Sequence, residues 1–100
     1  MSERNAMNSS TYLLGCIIGE GMFSSEKSVE IKDINGKRYS LFVQQDKVKN
    51  GDGKRGQLFV SLIKKEENVG VVYLPSETLE LGFRTLQVPF NELVPVSARR

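Results

Sequence analysis

Val29-Glu30-Ile31-Lys32-Asp33-Ile34-Asn35-Gly36-Lys37-Arg38-Tyr39-Ser40-Leu41-Phe42-Val43 is the stretch that decides the fold. Val29 and Ile31 alternate with Glu30 and Lys32 at the period of two that marks a half-buried strand. Tyr39, Leu41 and Val43 do the same beyond the break, and Asn35-Gly36 between the two runs is a hairpin signal. A two-residue Asn35-Gly36 loop would pair Ile31 with Ser40 and mix the faces. A three-residue loop of Ile34, Asn35 and Gly36, with Gly36 at positive φ, pairs Ile31 with Tyr39 and Val29 with Leu41, and sets Asp33 beside Lys37. A slip of one residue moves every side chain to the opposite face, so the register that gathers Val29, Ile31, Tyr39, Leu41 and Val43 together is expected.

Working outward, no stretch carries apolar residues at helical spacing over three turns. Tyr12 to about Phe23 reads as a strand bent at Gly15, Gly19 and Gly21. Ser24-Ser25 is a turn before the strand Glu26 to Asp33. The polar run Gln45 to Gln57 (QDKVKNGDGKRGQ) reads as a loop. Gln57 to Ile63 and Val69 to Leu74 are strands joined through Lys64 to Asn68. Pro75 to Gly82 is an irregular connection, Arg84 to Val88 a strand, Pro89 to Leu93 a 3₁₀ turn, and Val94 to Val96 a last short strand. The expected architecture is all-β: about six short antiparallel strands in a small barrel or two-sheet sandwich. It occupies residues 12–96, after a disordered leader at 1–11 and before a frayed tail at 97–100.

Composition narrows the chemistry. The chain has 100 residues, a net charge of +2, one cysteine and no histidine or tryptophan. Without histidine there is no Ser-His-Asp or Cys-His arrangement and no imidazole-based metal site. Cys16 alone builds neither a thiolate metal site nor an intramolecular disulfide. What remains is paired-carboxylate or lysine-nucleophile chemistry, for which no pattern speaks. A non-enzymatic domain without metal or cofactor is expected.

Leu86-Gln87-Val88-Pro89-Phe90-Asn91-Glu92-Leu93-Val94-Pro95-Val96 is similar to the closing segment of SH3 domains: a strand, a proline, an Asn-containing 3₁₀ turn and a short final strand. The resemblance implies an SH3-like small barrel. Glu92 stands where those domains carry a groove tyrosine, and the groove tryptophan has no counterpart, so proline-rich ligands are not expected. Leu13-Leu14-Gly15-Cys16 matches the lipobox of bacterial lipoproteins. Only Tyr12, Leu13 and Leu14 precede Gly15, however, where ~7–15 apolar residues are needed, so Cys16 is read as a buried strand residue.

Two surfaces stand out. Both faces of the strands at 57–74 are apolar, which a small barrel open to water does not require. Phe59, Ile63, Val72 and Leu74 are therefore the expected partner-binding positions, for another protein or for a second copy in a homo-oligomer. The second surface is the basic loop, where Lys47, Lys49, Lys54 and Arg55 form an alternative site for an anion or nucleic acid, extended by Lys37 and Arg38. Glu77, Glu80 and Glu92 give residues 75–93 an acidic balance that could face the basic loop of a neighbouring molecule. No apolar run approaches the ~20 residues of a membrane helix, and neither targeting signals nor paired cysteines are present, so the expected location is the cytoplasm, away from membranes. Removing Met1 to Met7 should leave the melting temperature nearly unchanged. A loss of several degrees, ~1 kcal/mol for a chain of this size, would show the leader to be docked.

Overall fold

The Asn35-Gly36 hairpin adopts the three-residue loop. Ile31 faces Tyr39 and Val29 faces Leu41. The Asp33 N–H donates to the Lys37 carbonyl at 2.9 Å, and Gly36 sits at φ 82°. The Asp33 carboxylate accepts the N–H groups of Asn35 and Lys37, each at 2.9 Å, and so fastens the turn from inside.

The computed structural model describes residues 11–51 and 53–96. Eight strands occur in this range: β1 (Thr11–Glu20), β2 (Glu26–Lys32), β3 (Arg38–Gln44), β4 (Val48–Asn50), β5 (Arg55–Glu66), β6 (Val69–Tyr73), β7 (Thr85–Pro89) and β8 (Leu93–Pro95). They form one antiparallel sheet in the order β3-β2-β1-β5-β6-β7, with β4 added to β5 and β8 added to β1. The protein is all-β, a curled half-barrel.

Several boundaries differ from the sequence reading. Thr11 already belongs to β1, while the rest of the expected leader and the tail at 97–100 lie outside the described residues. β1 stops at Glu20, so Met22 and Phe23 sit in the following turn, both exposed. The polar run 45–57 is not all loop. It holds a 3₁₀ turn at Gln45–Lys47, then β4, and Arg55 already starts β5. β4 forms because β5 offers it a partner, with Val48 opposite Leu58, not because its own residues favour a strand. The connection expected at 64–68 shrinks to Glu67 and Asn68, with Glu67 in the left-handed region at φ 55°.

The curl comes from β1 and β5. Each is long enough to pair with different neighbours along its length. Residues 11–17 of β1 pair with β5, while its other edge takes β8 at Tyr12–Leu14 and β2 at Ile17–Glu20. Leu14 and Leu58 face each other inside the curl, one step from Tyr12 and Val60. At the next step Cys16 faces Gly56, where an added Cβ would fall 2.6 Å from the Lys49 carbonyl oxygen and 2.3 Å from the end of Ile18. Only glycine fits there. Val29, Ile31, Tyr39, Leu41, Val43, Val72, Leu74, Leu86, Val88 and Leu93 complete the core. Phe90 closes one end, edge-on to Tyr12 at 6.0 Å, with the Lys65 ammonium 4.6 Å from its ring centroid.

The opening of the curl is spanned by a strap, residues 75–83. Its backbone lies along the free edge of β3. Leu79 N–H donates to the Ser40 carbonyl at 2.7 Å, Ser40 N–H donates to the Glu80 carboxylate at 2.8 Å, and the Ser76 hydroxyl donates to the Phe42 carbonyl. The Ser40 N–H holds the Glu80 carboxyl below its ordinary pKa. Ile34 N–H adds a 2.8 Å bond to the Gln87 carbonyl of β7, tying the β2–β3 turn across to the other end of the sheet. Gly36→Val should lower stability by about 1 kcal/mol or more in urea unfolding: the space around Gly36 is open, but a β-branched residue resists that φ. An unchanged midpoint would show that the turn relaxes to another type.

Candidate functional site

β5 alternates, and with Leu58 and Val60 buried its outer side carries Arg55, Gln57, Phe59 and Ser61. Register sets Ile17, Gly15, Leu13 and Thr11 of β1 beside them on one edge. On the other edge Lys49 of β4 lies opposite Gln57, and Tyr73 of β6 lies opposite Ser61. In the interval between β4 and β6, Phe59 borders a cleft of about 290 Å³ completed by Thr11, Lys47, Tyr73, Pro75 and Arg84. That volume accommodates a few side chains or a planar ring, not a folded element.

Arg84 sets the shape of this cleft. Its Nε donates to the Leu74 carbonyl at 3.1 Å and its Nη2 to the Pro75 carbonyl at 2.9 Å, while the guanidinium lies 4.5 Å from the Tyr73 ring centroid. The planar fork thus satisfies two carbonyls at the foot of the strap and stacks on the ring beside them.

The four expected docking positions divide. Ile63 is outward and 56% exposed, because a bulge between Leu62 and Lys64 leaves it without a cross-strand partner. Phe59 is outward and half-buried, set against Leu13. Val72 and Leu74 are not outer residues: both are completely buried. The reason is register, since Leu62 pairs with Val72 and Ser61 with Tyr73, which turns Val72 inward and Tyr73 outward. Val71 and Tyr73 take their places on the outer side, Tyr73 at 42% exposure.

The basic residues of the polar run flank or belong to β4 and the start of β5. Lys47 reaches the cleft, and Lys49 and Arg55 are exposed along the same outer side. Lys54 is exposed in the adjoining turn, where its carbonyl accepts the Ile18 N–H at 2.7 Å. Lys37 and Arg38 stand apart on the β2–β3 hairpin, Lys37 5.7 Å from the Tyr39 ring centroid and Arg38 3.3 Å from Glu30. Tyr73, Arg84 and Leu13 were not singled out by the sequence. The cluster of lysines at 47, 49 and 54 was the one available hint, although Lys47 lies in the 3₁₀ turn and Lys49 in β4.

A second hollow lies where β1 passes from β8 to β2, and it is lined by Leu14, Cys16, Ile31, Glu30, Lys32 and Glu92. Burial pushes the Cys16 thiol up to about 11, so it stays protonated and inert at neutral pH. Among the described residues no Cys, Asp and Glu side chains cluster as a metal site, and no helix is long and apolar enough to cross a membrane. Comparison with protein-family models, curated proteins and solved structures finds no match for this chain. Arg84→Ala should cost about 1–3 kcal/mol in urea unfolding, with Arg84→Lys recovering only part, because an ammonium cannot fork to both carbonyls. Full rescue by lysine would reduce the role of Arg84 to its charge.

Proposed function

We propose that the domain acts by binding, with no chemistry of its own, as an SH3-like small barrel that serves as a protein-interaction or assembly module in the cytoplasm. The observation that carries this reading is the outer side of β5 and β6. There Phe59, Ile63, Val71 and Tyr73 set apolar side chains around Ser61, next to a cationic rim. Support for the SH3-like part comes from the path of the chain after Pro89, where a 3₁₀ turn holding Asn91 leads into β8 and β8 pairs back onto β1. The partner docks on the β5–β6 face and not in a proline-rich-peptide groove, since Glu92 replaces the groove tyrosine and the chain lacks tryptophan.

A second reading, contact with single-stranded nucleic acid, is favoured by one arrangement. Phe59 and Tyr73 lie beside Lys47 and Arg84, with Lys49, Lys54 and Arg55 following, which is the mixture of stacking rings and cations such ligands use. A pull-down from native extract with and without nuclease separates the two. The protein-binding reading expects a bound protein that survives nuclease and is lost with Tyr73→Glu or Ile63→Glu, both exposed positions whose change leaves the circular dichroism intact. Capture abolished by nuclease, together with oligonucleotide affinity falling steeply from 50 to 200 mM salt, ~10³-fold for several phosphate contacts, would establish the nucleic-acid reading instead.

A further inference from the structure

The strap presents Leu79, Leu81 and Phe83 to solvent at 61%, 48% and 62% exposure, within five residues of chain. Its own fold leaves them there. Thr78 is the residue it buries, and the strap closes on itself through Thr78 N–H to the Phe83 carbonyl at 2.9 Å and Gly82 N–H to the Thr78 carbonyl at 2.8 Å. The bonds from Leu79 and Glu80 to Ser40 pin its tip against β3, so these side chains cannot swing round to cover one another. Between Pro75 and Phe83 the only charges are Glu77 and Glu80. The strap is thus apolar and anionic.

The cleft on β5 and β6 is its counterpart. Phe59, Tyr73 and Pro75 supply an apolar floor, and Lys47 and Arg84 stand at the rim, with Lys49 and Arg55 beyond. The outer positions from Arg55 to Ser61 include no carboxylate, and β4 has none either. Apolar content matches and charge is opposite, the combination that gives association both a driving force and an orientation. We propose that the occupant of the cleft is a second copy of this chain, which inserts Leu81 and Phe83 of its strap against Phe59 and Tyr73 and turns Glu77 toward Lys47. This names the partner of the face chosen under the proposed function and rests on that choice.

The test uses the purified chain and mixtures of variants. Sedimentation velocity on wild type should show concentration-dependent association that weakens with salt. Leu81→Glu, which spoils the strap, and Tyr73→Glu, which spoils the cleft, should each lower the association constant about tenfold or more. Both sites are exposed, so circular dichroism should match wild type. Mixing the two variants should restore a one-to-one complex, because the intact strap of one meets the intact cleft of the other. The charge pair tests orientation: Glu77→Lys and Lys47→Glu each weaken association alone, and a mixture of the two recovers it. A wild type that stays monomeric at millimolar concentration would overturn the inference, as would variants that remain monomeric when mixed. If that monomer still captures a different protein through Tyr73, the proposed function stands and only the second copy is wrong. If instead it binds a short single-stranded oligonucleotide, which Tyr73→Glu releases, both are overturned.

Discussion

The pairing of β1 with β5 is the constraint on which the rest of the structure depends. It runs from Thr11 opposite Ser61 to Ile17 opposite Arg55, joining residues 38 to 50 positions apart in the chain. Every other strand contacts this pair or leans on a strand that does. Leu14 against Leu58 is its buried centre, and Gly56 lets the two backbones keep company where Ile18 and the Lys49 carbonyl crowd in. Closing so large a loop is entropically costly before any contact rewards it, whereas the β2–β3 hairpin closes over three residues. The local hairpin therefore has the means to form early, and the β1–β5 seam commits the chain to its fold.

What could be read from the sequence follows the same division between local and distant. The β2–β3 register was legible because alternation on both arms and Asn35-Gly36 between them permit one arrangement with a single apolar face. The facing of β6 was not. Valines occupy both its sides, and the decision rests on a bulge at Ile63 and a turn with Glu67 at φ 55°, neither of which residue type announces. β4 was hidden for another reason, since a three-residue strand inside a polar run is created by its partner. The candidate site was legible as charges and apolar residues but not as a cleft. Lys47, Phe59, Tyr73 and Arg84 are scattered along the chain, and only tertiary register brings them together.

The strap solves a problem that an open curled sheet poses. The edge of β3 would offer unpaired N–H and C=O groups to any passing strand. Instead of a ninth strand, the protein covers Ser40 and Phe42 with a carboxylate, a hydroxyl and one backbone amide from residues 76–80. Arg84 then satisfies the carbonyls where the strap leaves β6. This cover costs little chain, but it turns the strap's own leucines and Phe83 outward.

Cys16 lends the β1–β5 seam a readable property. It is the chain's one cysteine, faces Gly56 across the seam, and is buried with its thiol held in the unreactive protonated form. The same thiol borders the hollow lined by Glu30, Ile31 and Lys32 of β2, so its labelling rate reports how often the chain opens around this part of β1, on the β5 side or the β2 side. The molecule thereby carries a native clock for opening at the centre of its sheet, with no probe introduced.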